Sequence, residues 1–149
     1  MFLRRGHAYV YFSYGNHFML NVSAEIAGVG GGVLIRALEP LEGIKQMEQQ
    51  RKTTRLLDLT RGPGRLASAL QIDRSLDGTD LCAPGPLWLG ALTSPRSHPT
   101  LARRSFILGT STRILGTSTR IGITLAAHRL LRFYERDNPF VSGPLRLRS

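Results

Sequence analysis

One cysteine and one tryptophan stand in 149 residues. The lone Cys82 excludes an internal disulfide and any metal site built from clustered cysteines, and it fits a reducing compartment. His98, in a proline-flanked loop, has no second histidine or carboxylate at metal-ligand spacing beside it, so no metal is expected. No apolar run reaches the roughly 20 residues a membrane helix needs. No charged start leads into a long apolar segment, so no secretory leader is read, and an intracellular location, cytoplasmic (nucleoid) or nuclear, is expected. Acidic residues are few, 10 against 20 basic, which leaves a formal charge of +10. Lysine is scarcer still: only Lys45 and Lys52 occur, and the remaining eighteen basic residues are arginine. Arginine grips phosphate oxygens bidentately and keeps its charge. The excess favours a polyanionic partner, most simply nucleic acid. An arginine-biased genome is the bland alternative.

What is present is enough for one modest core, since 42% of the residues are hydrophobic and a chain of this length makes one domain. The densest signal is Tyr9 to Ser23, YVYFSYGNHFMLNVS. It reads as two strands joined at Tyr14-Gly15-Asn16, because Tyr, Val and Phe suit a half-buried pleated surface and Gly15 and Asn16 tolerate positive φ. A three-residue loop pairs Ser13 with His17, Tyr11 with Met19 and Tyr9 with Asn21. Paired residues share a face, so Tyr9, Tyr11, Met19 and Asn21 line one side. A two-residue Gly15-Asn16 loop would slip the register and place Asn21 behind Tyr11. The three-residue loop is the expectation. Such a hairpin offers stacking rings, with Tyr14 at the tip able to wedge between base steps and Tyr11 able to stack on an extruded base. The plainer reading is a core hairpin with its tyrosines packed under a sheet.

Further along, GVGGG at 28–32 is a strand-joining turn, and Val33 to Leu38 reads as the next strand. Arg36 is a charge on that apolar strand. It is costly there unless an anion meets it, or it reaches water at an edge or pairs with Glu39. Pro40 opens a helix, Leu41 to about Arg51, with Leu41, Ile44 and Met47 on one face. A second helix spans Thr60 to Ile72 through Gly62-Pro63-Gly64. Its start is either an ordinary helix N-terminus or an anion site with Arg65 beside it. Asp77-Gly78 marks a turn and Leu87-Trp88-Leu89 a brief strand. ILGTSTR occurs at 107–113 and again, unchanged, at 114–120. An insertion of seven would invert the side chains of a strand, so one copy should loop out or disturb the fold locally. RIGI at 120–123 and Arg132 to Tyr134 read as strands, Asn138-Pro139 as a turn, and Phe133, Tyr134 and Phe140 as core residues. Arg4, Arg5 and His7 either touch phosphate or form a solvated end.

Five blocks carry a resemblance. They are YVYFSYGNHFMLNVS, VLIRALEPLEG at 33–43, GPGRLASAL at 62–70, RIGI at 120–123 and LRFYERDNPFVS at 131–142. In this order they resemble the alkyladenine (3-methyladenine) DNA glycosylase family over most of the chain. The resemblance implies an α+β fold, with a curved antiparallel β-sheet (open-barrel-like), short flanking helices and a protruding β-hairpin. It implies release of alkylated purines from double-stranded DNA by flipping the damaged nucleotide and hydrolysing its glycosidic bond. No cofactor and no membrane are implied, and a monomer is expected. The roles it implies are Tyr14 as the residue filling the gap in the duplex, and Tyr11, Asn21 and Leu34 as the base pocket. Arg36 and the Ile121 carbonyl would hold the attacking water. Arg65 and the Gly122 N–H would contact phosphate.

One part of the family pattern has no match. The general base is there a glutamate in a Glu-Thr-Glu-Ala-Tyr-like segment ahead of the hairpin, and no such stretch occurs in these 149 residues. Glu25, Glu39, Glu42 and Asp137 do not match its position. The chain therefore reads as a single, incomplete glycosylase domain over residues 1–149, with impaired catalysis. The alternatives are a non-catalytic DNA-binding remnant of the fold and, more remotely, a basic RNA-associated protein.

Overall fold

The computed structural model describes residues 1–13, 15–91, 105–108, 115–121 and 124–144. The hairpin is its centre. Strand β1 (Ala8–Ser13) pairs antiparallel with β2 (His17–Ser23), with Ser13 opposite His17, Tyr11 opposite Met19 and Tyr9 opposite Asn21. The three-residue register is the one formed. β2 pairs in turn with β3 (Gly32–Leu34), placing Asn21 opposite Leu34. The alternation then sorts the sheet into two faces. Ala8, Val10 and Leu20 point into the main core, where they meet Leu66, Ala67 and Leu70. Tyr9, Tyr11, Asn21 and Leu34 belong to the other face.

Three helices follow: α1 (Ile44–Arg51), α2 (Leu56–Thr60) and α3 (Pro63–Ala69). The first begins three residues later than its pattern suggests, and the expected helix from Thr60 is cut at Gly62. The cause is the same in both places: Gly43 has φ +71 and Gly62 φ +139, values a continuing helix cannot hold. Pro63 then opens α3, where its missing N–H costs nothing. α3 lies on the hairpin because Gly64 has no side chain. A Cβ there would stand 2.7 Å from Cγ of His17.

The outer edge of β1 is closed by the segment after a short 3₁₀ turn (Arg74–Leu76). The Ala8 N–H donates to the Thr79 carbonyl at 2.8 Å, and the Gly78 N–H to the Ala8 carbonyl at 2.9 Å. The Val10 N–H donates to Asp77 Oδ1 at 2.8 Å. The expected turn at Asp77-Gly78 thus covers a sheet edge that would otherwise expose unpaired groups.

The strand expected to run to Leu38 is shorter. Ile35 N–H still donates to the Leu20 carbonyl at 3.0 Å. Beyond it the chain leaves β2 and turns to the helices: Ala37 bridges Arg61, and the Leu38 carbonyl accepts the Thr60 hydroxyl. Ile35 and Leu38 both pack against the core, a spacing of three that strict alternation forbids.

β4 (Trp88–Ala91) pairs parallel with β5 (Ser105–Leu108), and β6 (Leu115–Ser118) pairs antiparallel with β7 (Arg132–Glu135). The class is α+β, as expected, with the described strands in three small sheets and no closed barrel among them. The first ILGTSTR copy supplies Ile107 and Leu108 to β5, and the second supplies β6. The RIGI stretch is not a strand where described: Arg120 and Ile121 follow β6 without pairing. No helix among the described residues is long and apolar enough to cross a membrane.

Candidate nucleic-acid interface

The sheet face turned away from the main core gathers three of the sequence-derived positions. Tyr11 is half-buried, with its ring 5.4 Å from that of Tyr9 and tilted by 31°. Asn21 is buried, and its Nδ2 donates to the Tyr9 carbonyl at 3.2 Å. This bond fixes which end of the amide points back into the sheet. Leu34, half-buried, stands across from Asn21. The ring, the amide and the aliphatic wall therefore share one surface, which could receive a flat heterocycle by stacking and edge contact.

Arg36 follows two residues after Leu34. It is half-buried, and its Nε is buried with no hydrogen-bond partner among the described residues. A second guanidinium lies near it. Arg132, on β7, is only 5% exposed. Its Nη2 donates to the Ser142 carbonyl and, at 3.4 Å, faces Ser142 Oγ. Its guanidinium carbon lies 5.7 Å from the Tyr134 ring centroid. Burial lowers the Arg132 pKa, the Arg36 charge lowers it further, and Tyr134 acts in the opposite sense. Ile121 reaches the same place. A Cβ on Gly143 would sit 2.9 Å from Ile121 Cδ1 and 3.4 Å from Arg132 Nη1. Ile121 and Arg132 thus both border Gly143, and the Arg36 charge acts on Arg132 although 96 residues separate the two in sequence.

The family model described as Methylpurine-DNA glycosylase (MPG) matches residues 1–139. The chain belongs to this family. A Mesorhizobium japonicum protein named "Putative 3-methyladenine DNA glycosylase" is 57% identical over 144 residues, covering 97% of this chain and 62% of the relative. Proteins of the same name from Paraburkholderia phytofirmans and Granulibacter bethesdensis are 44% and 43% identical, over 99% and 96% of this chain. The chain spans 61–62% of the length of these three curated relatives.

The other methylpurine-DNA glycosylase positions lie elsewhere or outside the described residues. Tyr14 and Gly122 are outside them, as is His98. Arg65 is on α3, with its Nη1 2.7 Å from Asp58 Oδ1. Arg55 and Arg61 approach the same carboxylate at 3.4 and 3.8 Å. Three guanidiniums thus share one acid, and the face keeps a surplus of positive charge. Arg51 adds to it: its pKa is lowered by burial first and by Arg65 next, while Asp58 raises it. The Gly62 N–H at the start of α3 is already engaged by the Thr60 carbonyl at 3.0 Å.

Two residues depart from their sequence-based reading. Phe133, expected in the core, is 67% exposed, whereas Phe140 is buried at 6%. The inward face of β7 belongs instead to Arg132 and Tyr134, because Gly116 opposite Tyr134 leaves room for the ring. Arg132 itself is the site-region residue that sequence reasoning passed over. Its only signal was a charge inside an aromatic strand. Among the described residues no group of three or more His, Cys, Asp or Glu side chains is placed to hold a metal ion.

Proposed function

We propose that this chain recognises damaged purines in duplex DNA and takes part in their hydrolytic release, as a DNA glycosylase of base-excision repair. The observation that supports this most is the hairpin register, which puts Tyr11, Asn21 and Leu34 on one face away from the main core. Family membership supports the substrate class, since relatives bear the name of a 3-methyladenine DNA glycosylase. Residues 1–149 act as one monomeric domain of this kind.

On this reading Tyr14 fills the gap left in the duplex while Tyr11 stacks on the extruded purine. Asn21 discriminates at the purine edge and Leu34 closes the pocket wall. Arg36 and the Ile121 carbonyl orient a water against the sugar carbon. The water oxygen bonds to C1′ as the C1′–N bond breaks, and the bonding pair leaves with the alkylated purine, cancelling its positive charge. The water proton passes to a general base. Arg65 and the Gly122 N–H hold phosphates on either side. No metal or cofactor is needed for a leaving group already cationic.

A second reading is a DNA-binding remnant of the fold without catalysis. Binding to lesion-bearing and intact duplex, followed by an assay of base release from alkylated duplex, separates the readings. The proposal expects preference for the lesion, lost in Tyr11→Ala, with release of the base. Lesion preference without any release leaves the remnant. Equal binding to both duplexes, in the folded protein, defeats the glycosylase reading.

A further inference from the structure

We infer that the two ILGTSTR copies compete for one place, the strand opposite β7, and that their exchange is a conformational switch beside the candidate site. Its consequence for DNA rests on the proposed role of the Gly122 N–H; the exchange itself does not.

The second copy holds that place in the structure: Leu115, Gly116, Thr117 and Ser118 stand opposite Glu135, Tyr134, Phe133 and Arg132. The first copy offers the same four residues in the same order, Leu108 to Ser111, and the match runs on to Ile114 as the counterpart of Ile121. Residues 109–114 lie outside the described residues, so the equivalence is one of sequence. Identical residues in the same register can form the same ladder with β7. Little in β6 holds one copy against the other. Leu115 is 69% exposed, Thr117 is exposed, and the one buried position is Gly116, which has no side chain to anchor. A strand that buries no side chain fully has a weakly specified register. What β7 does require is a glycine against Tyr134, since a Cβ at 116 would stand 2.6 Å from Tyr134 Cζ. Gly109 meets that requirement equally. Two costs weigh against the exchange. The connector to β7 grows from 119–131 to 112–131, which lowers the population about twofold. Leu108 must also leave Ala91, so β5 is drawn away from β4. The register described is therefore the major one, and β4–β5 pairing is its latch. The exchange alters the chain beside Gly143. Ile121, which borders that glycine, gives way to an identical Ile114, but the residue after it changes from Gly122 to Leu115. A glycine lets a phosphate approach its N–H, and a leucine side chain obstructs that approach. The minor register is a form with one phosphate contact fewer.

Disulfide trapping in the full chain reads the two registers separately. Cys82→Ser removes the one native thiol, so only introduced cysteines can pair. Thr117→Cys with Phe133→Cys should close under oxidised glutathione, because the two positions face each other across the ladder. Thr110→Cys with Phe133→Cys should close too, more slowly. Ser111→Cys with Phe133→Cys, one residue along and on the opposite face in the exchanged register, should be the slowest. Locked at 117, the protein should bind duplex DNA like the parent. Locked at 110, it should bind roughly eightfold more weakly at about 0.1 M salt, the loss of one phosphate contact. In the parent, nitrogen-15 saturation transfer on the β7 amides should show a second state that vanishes once the bond at 117 is closed. The inference is overturned if the folded Thr110→Cys variant closes no faster than the Ser111→Cys control, or if the parent shows no second state. Should the Thr110→Cys variant not fold, the parent's spectrum decides. Both bonds closing with equal DNA affinity would sink the Gly122 contact and leave the strand exchange standing. A parent that prefers no lesion would sink the glycosylase reading without bearing on either bond.

Discussion

Asp58 is the acid that restrains the arginine face, and replacing it by asparagine should tighten DNA binding. In the structure it meets Arg65 at 2.7 Å, Arg55 at 3.4 Å and Arg61 at 3.8 Å. Asp58→Asn keeps the shape and removes the charge, so the three guanidiniums become available to phosphate. If they gain one phosphate between them, the slope of log K against log salt steepens by about 0.9. At about 0.1 M salt that is a gain in affinity of roughly eightfold. The fold should lose little. The pairs are partly solvated, and exposed ion pairs contribute about 0.2–1 kcal/mol. A melting temperature lower by a few degrees (about 2–4 °C per kcal/mol) is the expected cost. Fluorescence anisotropy of a short labelled duplex, titrated at several salt concentrations, reads both quantities. An Asp58→Asn protein that melts normally yet binds with unchanged affinity and slope would refute the claim that this face meets DNA.

Other expectations can be checked separately. Gly64→Ala should destabilise by about 1–3 kcal/mol, since the new methyl would overlap His17. Thermal unfolding should find that cost greatly reduced in a His17→Ala background, and an equal cost in both would show the contact is not the cause. Tyr11→Ala should lose about 1–3 kcal/mol of binding to a lesion duplex, the range for one stacked base, with intact duplex little affected. Equal losses on both duplexes would count against stacking. Asn21→Asp turns the donor facing the Tyr9 carbonyl into an acceptor and should cost about 1–3 kcal/mol in denaturant unfolding. An unchanged midpoint would mean the amide bond contributes nothing.

The hairpin was legible because three signals agree: a Gly-Asn turn, apolar and aromatic residues on both strands, and a register in which Asn21 and Tyr11 share a face. The α3 entrance was legible from Pro63, but its separation from α2 depends on Gly62 at φ +139, which composition does not announce. The strand after Val33 was over-extended because apolar residues continue to Leu38. What ends it is Thr60 reaching the Leu38 carbonyl from 22 residues away. β7 was hardest. Arg132, Phe133 and Tyr134 are all large, so the sequence alone does not say which face turns inward. The answer lies in Gly116 and Ser142, one across the sheet and one ten residues further on.

The root of the hairpin is clamped along both margins, by Asp77 to Leu81 on one side and by β3 on the other. His17 is wedged beneath Gly64 as well. A finger mounted this way behaves as a cantilever: load at Gly15 and Asn16 reaches the anchored base as bending, because sliding between the two strands would break bonds on three sides at once. Whatever presses on that tip is therefore felt at Tyr11 and Asn21 without a shift of register.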